Sequence, residues 1–133
     1  MANVLLVDDR PENLLALEAI LEPLGQTLLT ANSGEDALRQ LLRHDVAVIL
    51  LDVQMPIMDG FEVAGQIKRR EKTRHIPIIM ISGNEQATEE FYVHRIGADD
   101  FMKKPFSRAE VFARIERLLD ENRVPRRIQQ AVD

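Results

Sequence analysis

The chain has 133 residues, of which 45% are hydrophobic and 29% are charged, and its net charge is −5. This length and composition are typical of one globular domain. The acidic balance argues against general nucleic-acid binding, the lack of cysteine excludes disulfide and thiol chemistry, and no apolar run is long enough to span a membrane.

Apolar runs typical of strands alternate along the chain with helical patterns. The predicted strands are, in chain order, Val4–Val7, Thr27–Ala31, Val46–Leu51, Ile76–Ile81 and Asp100–Met102. A helix is predicted after each strand, and the five helices begin at Pro11, at Ser33, after Gly60, at Glu85 and at Ser107. The second helix has the predicted inward stripe Ala37, Leu38, Leu41 and Leu42. Five such repeats with right-handed crossovers predict an α/β fold with helices on both faces of a parallel sheet.

The third predicted strand leads directly into Asp52 and a loop. A continuous apolar run of this kind predicts a strand that is buried on both faces. Pro56 and Gly60 in the following segment are typical of a loop. Asp52 is therefore predicted to lie at the carboxyl end of a central strand, where open α/β sheets place their ligand sites.

Polar side chains follow four of the five predicted strands. Asp8 and Asp9 follow the first strand, Asp52 the third, Ser82 the fourth and Lys104 the fifth. In a parallel sheet these positions share one edge, so the residues are expected to converge. Three carboxylates together repel one another and need a cation, and oxygen ligands select a hard cation such as Mg²⁺. With a lysine and a hydroxyl beside them, they predict a site for a phosphoryl group.

Five short motifs follow one another along the chain. They are Val7-Asp8-Asp9, the run from Asp52 to Gly60, Ser82-Gly83, the run from Gly97 to Phe101, and Lys104-Pro105-Phe106. Taken together, they resemble the receiver domain of bacterial two-component response regulators, the CheY-like superfamily. The resemblance covers residues 3–122 and implies a flavodoxin-like, three-layer α/β/α fold with strand order 2-1-3-4-5. We expect a receiver domain over residues 1–122 and a C-terminal tail or linker over 123–133.

The resemblance implies a catalytic role for three residues and a metal site. Asp52 would be the phosphoacceptor, Lys104 would pair with a phosphoryl oxygen, and Ser82 would donate its hydroxyl to the phosphoryl group. The expected cofactor is Mg²⁺. Its ligands would be Asp9, Asp52, the backbone carbonyl of Gln54 and, largely through a water molecule, Asp8.

The resemblance also implies a switch and a set of tuning positions. Ser82 would move toward the phosphoryl group and admit the ring of Phe101, which would reshape the face made by the fourth helix, the fifth strand and the fifth helix. Gln54 and Asn84 would tune dephosphorylation. The peptide bond before Pro105 would be cis.

The partners implied are a sensor histidine kinase or phosphotransfer protein as the phosphoryl donor, and an effector domain or protein of unknown kind. The resemblance also allows a homodimer through the switch face, which is the face made by the fourth helix, the fifth strand and the fifth helix. No direct contact with nucleic acid or membrane is expected. The first residues lack the features of a signal peptide, which favours a cytoplasmic phosphoprotein. We expect a signalling domain and not an enzyme, since it would catalyse only its own phosphorylation and dephosphorylation.

Other interpretations stay open at this point. A Mg²⁺-dependent aspartyl phosphatase of the haloacid-dehalogenase type also places an aspartate nucleophile after a strand, but it needs a second acid two residues later, where this chain has Gln54. A flavodoxin-like nucleotide or flavin binder would need a glycine-rich phosphate loop, which the sequence lacks. A pseudo-receiver that acts only in protein contacts would not need the acidic residues. Asp8 and Asp9 alone could also serve only to cap a helix.

Overall fold

Five parallel strands form a single sheet in the computed structural model, which describes residues 2–55, 57–83 and 97–132. The strands are β1 (Asn3–Val7), β2 (Thr27–Ala31), β3 (Val48–Asp52), β4 (Ile78–Ser82) and β5 (Asp100–Lys103). Their spatial order is β2-β1-β3-β4-β5, and all neighbouring pairs are parallel. The predicted fold class and the strand order 2-1-3-4-5 are confirmed.

The helices of the described ranges are α1 (Pro11–Leu21), α2 (Gly34–Arg43), α3 (Gly60–Arg69) and α4 (Arg108–Val132), with a short 3-10 turn at Glu22–Leu24. The side chains of Ser33, Asp59 and Ser107 accept hydrogen bonds from backbone N–H groups three residues later, so they cap α2, α3 and α4. The predicted fourth helix, Glu85–Ile96, lies outside the described residues. Helix α4 continues over residues 123–132, most of the segment that the sequence suggests as a tail.

The core consists of two apolar layers, one on each face of the sheet. Helices α2 and α3 cover one face, and α1 and α4 cover the other. Every residue of β3 and β4 is buried, because these central strands have helices on both sides, and this explains their continuous apolar sequence. None of the helices in the described part of the chain has both the length and the apolar character that crossing a bilayer requires.

Strands β3 and β4 each start two residues later and end one residue later than the sequence predicts. At the carboxyl end, backbone pairing continues through Asp52 and Ser82, since the N–H of Val53 still donates to the carbonyl of Ile81 at 3.0 Å. At the other end, burial starts before pairing does, because Val46 is buried although it precedes β3. The apolar pattern of the sequence indicates which residues are buried and not which are paired, so it misplaces the ends of both strands.

The predicted inward stripe of α2 is wrong at one position. Leu38 and Leu41 are buried, but Leu42 is 69% exposed. Successive residues of a helix are about 100° apart, so Leu42 lies outside the narrow sector that contacts the sheet.

Lys68, near the end of α3, contacts the residues just before β4 and β5. Its Nζ lies 3.3 Å from Asp99 Oδ2 and 3.3 Å from the carbonyl oxygen of Ile76. The same Asp99 oxygen accepts a hydrogen bond of 2.8 Å from the backbone N–H of Ile78. Lys68 therefore links the end of α3 to the starts of two strands.

Gly60 allows α3 to begin directly against the end of β3. Its N–H donates to the carbonyl of Val53 at 3.0 Å, which closes the loop that follows Asp52. A Cβ atom at position 60 would lie 2.5 Å from the carbonyl oxygen of Asp52 and 2.8 Å from the Cα of Val53. Both neighbours are backbone atoms, so the larger residue could fit only if the segment carrying Asp52 moved.

Gly60→Ala is expected to lower the free energy of unfolding by about 2 kcal/mol, because overpacking against backbone atoms forces a shift of the chain. Chemical denaturation would measure the change. Gly65→Ala, in the same helix, is the matched control, since a Cβ there meets only the flexible end of Arg69 at 3.4 Å. The control should gain about 0.5–1 kcal/mol from its higher helix propensity. Equal stability of the two variants would contradict the role assigned to Gly60.

Candidate functional site

The carboxyl edge of the sheet collects the acidic residues that the sequence singles out. Asp8 and Asp9 directly follow β1, and Asp52 is the last residue of β3. Carboxylate oxygens of these three residues all lie within 4.8 Å of one another. The predicted convergence of the three carboxylates is therefore confirmed. It arises because β1 and β3 are adjacent and parallel, so their ends are held side by side.

Lys104 supplies positive charge to this cluster. It directly follows β5, and its Nζ lies 3.5 Å from Asp52 Oδ1 and 3.7 Å from Asp8 Oδ2. Asp8 and Asp52 are both buried, with 6% of each residue exposed, so their interaction with the ammonium group is weakly screened. One lysine thus faces two buried carboxylates, and the third, Asp9, is half-buried beside them.

The surroundings of Asp52 favour its protonated form. Burial first, and then the negative charge of Asp8, raise the pKa of Asp52 to about 6, although Lys104 acts in the opposite direction. The charge of Asp9 adds a smaller contribution that also raises the pKa. Lys104 alone therefore does not offset the combined effect of burial and neighbouring negative charge on Asp52.

Both carboxylate oxygens of Asp8 accept hydrogen bonds from the start of α1. The backbone N–H of Arg10 donates to Oδ1 at 3.0 Å, and the side-chain amide of Asn13 donates to Oδ2 at 3.2 Å. The N-cap of α1 is Arg10, and no side chain caps this end, so capping does not explain Asp8 or Asp9. Asn13 is not predictable as a site residue from the sequence, where its only signal is an amide five residues after Asp8 in the first helical turn.

The predicted switch residues lie on adjacent strands. Ser82 ends β4 and is 1% exposed, whereas Phe101 in β5 is 8% exposed and belongs to the core on the α2–α3 face. Phe101 is paired with Met80, and Met80 shares a face with Ser82 because side chains alternate along a strand. The hydroxyl of Ser82 and the ring of Phe101 are thus on the same face of the sheet.

Two of the remaining predicted positions, Gln54 and Pro105, lie in segments that follow strands at the same edge. Gln54 is exposed in the loop after β3. The peptide bond between Lys104 and Pro105 is cis, the geometry that the resemblance implies. Asn84 lies outside the described residues.

The site suits a divalent cation and a phosphoryl group. Carboxylate oxygens are the ligands that Mg²⁺ prefers, and three of them lie close enough to share one ion. Burial and the negative charge of Asp8 both raise the pKa of Asp52, and a metal ion at the cluster would supply positive charge that acts in the opposite direction. An ionised Asp52 would then be a nucleophile with an ammonium group beside it to stabilise charge on an incoming group.

Comparisons with known proteins agree with this geometry. A family model described as "Response regulator receiver domain" matches residues 4–116. The chain is 35% identical over 121 residues to the alkaline phosphatase synthesis transcriptional regulatory protein PhoP of Bacillus subtilis (strain 168). The aligned region covers 91% of this chain and 50% of that protein. It is 34% identical over 119 residues to response regulator SaeR of Staphylococcus aureus (strain USA300), which covers 90% and 51%. The chain spans about half the length of these relatives.

Two solved structures show the same fold. The signal receiver domain of a signal transduction histidine kinase from Syntrophus aciditrophicus is 29% identical, with a TM-score of 0.85 over 93% of this chain and 94% of that one. The receiver domain of sensor histidine kinase PA1611 from Pseudomonas aeruginosa PAO1 is 31% identical, with a TM-score of 0.81 over 90% and 98%. That second structure has a magnesium ion coordinated in its active-site cleft.

Asp52→Asn is expected to stabilise the metal-free domain at neutral pH. The folded protein holds the Asp52 proton more tightly than the unfolded chain, because the pKa is about 6 in the fold and 3.8 ordinarily. Above pH 6 the ionised carboxylate therefore lowers the free energy of unfolding. This loss becomes smaller as the pH falls from 6 to 3.8, and it disappears below pH 3.8. Chemical denaturation with a chelator present should show a gain of ~2 kcal/mol at neutral pH.

Asp45→Asn is the matched control for this measurement, since it removes an exposed carboxylate that is far from the cluster in the fold. It should leave the stability unchanged at both ends of the pH range. A neutral-pH stability of Asp52→Asn at or below that of the wild type would contradict the pKa shift.

Proposed function

The chain belongs to the response regulator receiver domain family, and from this we propose that Asp52 accepts a phosphoryl group from the phosphohistidine of a sensor histidine kinase or phosphotransfer protein. The observation that carries the proposal is the convergence of Asp52 with Asp8, Asp9 and Lys104 at one edge of the sheet. Membership of this family makes the domain a signalling domain. The comparisons do not support a haloacid-dehalogenase phosphatase or a pseudo-receiver.

The proposed reaction moves one phosphoryl group between two side chains. An oxygen of the ionised Asp52 attacks phosphorus, a P–O bond forms, and the P–N bond to histidine breaks with its electron pair passing to the imidazole. Asp52 then carries an acyl phosphate. Lys104 is placed to bind a phosphoryl oxygen, since its Nζ already lies 3.5 Å from the nucleophile. Ser82, at the end of the neighbouring β4, would donate its hydroxyl to another oxygen.

The residues at this edge fit Mg²⁺. The carboxylates of Asp8, Asp9 and Asp52 would hold the ion with the backbone carbonyl of Gln54, Asp8 acting largely through water. Bound Mg²⁺ would neutralise negative charge on the carboxylates and on the incoming phosphoryl oxygens. It would also lower the pKa of Asp52 from about 6, which keeps the nucleophile ionised at neutral pH.

Phosphorylation is proposed to act on the switch face that the resemblance implies, whose described elements are β5 and α4. The new charge at Asp52 would draw Ser82 toward it, and the ring of Phe101 on the same face of the sheet would follow into the vacated space. Phe101 has no hydroxyl, so its two positions would differ by packing alone. Gln54 and Asn84 are proposed to tune dephosphorylation, with neither a strong base nor a charge.

We also propose domain bounds and an interaction surface for this chain. The receiver domain is placed at residues 1–122, with 123–133 as a tail or linker, part of which is helical in α4. A homodimer or an effector protein would bind the switch face. The relatives PhoP and SaeR are about twice as long as this chain.

The test is phosphorylation by acetyl phosphate with Mg²⁺, followed by intact-mass spectrometry. The wild type should gain the mass of one phosphoryl group, whereas Asp52→Asn should gain none and a chelator should abolish the reaction. Asp45→Asn is the matched control, because its carboxylate is exposed and far from the cluster, and it should react like the wild type. Equal labelling of the wild type and Asp52→Asn would refute the assignment of the nucleophile.

A further inference from the structure

We propose that Asn13 is a positioning residue that keeps Lys104 available to the phosphoryl group at Asp52. The inference rests on the proposed function of Asp52 as phosphoacceptor, and it adds a residue of α1 to that site. Asn13 would act through Asp8 and Lys104 and would not contact the phosphoryl group.

Two donors face the same oxygen of Asp8. The amide nitrogen of Asn13 lies 3.2 Å from Oδ2, and Nζ of Lys104 lies 3.7 Å from it. The other oxygen, Oδ1, is occupied by the backbone N–H of Arg10 at 3.0 Å. The carboxylate is therefore held at both oxygens, and at Oδ2 the neutral amide is closer than the ammonium group.

Lys104 is shared between two carboxylates. Its distances of 3.5 Å to Asp52 and 3.7 Å to Asp8 are both longer than the 2.7–2.9 Å, approximately, of a fully formed charge-assisted hydrogen bond. A small change in either carboxylate would therefore decide which one the ammonium group approaches. With the Asn13 donor removed, Asp8 Oδ2 would draw Lys104 closer, and the lysine would move away from Asp52.

Asn13 is rigidly placed for this role. Helix α1 begins at Pro11, and the buried side chains of Leu14 and Leu17 fix the helix against the sheet. The backbone N–H of Asn13 donates to the carbonyl of Arg10 at 3.1 Å. An amide at this position supplies a donor to Asp8 without adding a charge, so it satisfies Oδ2 and does not repel Lys104 or a metal ion.

The test measures phosphorylation by acetyl phosphate at saturating Mg²⁺. Asn13→Ala should react about fivefold more slowly, the effect of roughly one hydrogen bond. Asn13→Asp keeps the size of the side chain, removes the donor and adds a further carboxylate beside the two that Lys104 already faces, so its rate should fall at least as far. Asn3→Ala is the matched control, because it removes an amide that donates to the carbonyl of Asp45 at 2.7 Å, far from the cluster, and it should keep the wild-type rate.

A double-mutant cycle separates positioning from a general structural effect. If Asn13 acts through Lys104, Asn13→Ala should cause no further loss in a Lys104→Ala background. The affinity for beryllofluoride, a mimic of the phosphoryl group, gives a second readout. Calorimetry on the wild type, the two single variants and the double variant should show the same coupling. An unchanged rate for Asn13→Ala, or the same fold loss in both backgrounds, would overturn the inference alone. A wild type that accepts no phosphoryl group would overturn the proposed function and this inference with it.

Discussion

Repulsion among the carboxylates of Asp8, Asp9 and Asp52 is the interaction on which the site depends. The charges cannot move apart, because the paired, buried strands β1 and β3 fix the positions from which two parts of the cluster arise. Lys104 acts against this repulsion, but burial first and then the charge of Asp8 keep the pKa of Asp52 raised. The sheet thus holds together charges that would separate in a flexible chain, and this makes the edge receptive to a metal ion and to a phosphoryl group.

Much of the fold follows from the sequence because burial on both faces leaves a strand no room for polar residues. The apolar runs before Asp52 and Ser82 identify β3 and β4, and the alternation of strands with helical patterns identifies the α/β class. The cluster is predictable for a related reason: strand order and direction determine which strand ends are neighbours. The apolar pattern does not predict the last residue of each strand. Strand pairing depends on backbone hydrogen bonds, and polar residues form these equally well.

Asn13 and Lys68 illustrate what the sequence could not give. Each looks like an ordinary polar residue near a helix end, and each has an interaction that depends on where that helix end lies relative to a strand. Asn13 reaches Asp8 only because α1 packs against the sheet through Leu14 and Leu17. Such contacts are set by the angle and depth of helix packing, and no periodicity in the sequence encodes these.

The contacts of Lys68 have a mechanical consequence for the sheet. Together with Asp99 they anchor the starts of β4 and β5, whereas Ser82 and Lys104 lie at the other end, roughly 16 Å away along a five-residue strand. Two strands that are joined at their starts and paired along their length resist sliding past one another. The register between β4 and β5, which places Ser82 beside Lys103, is therefore held at both ends of the pair.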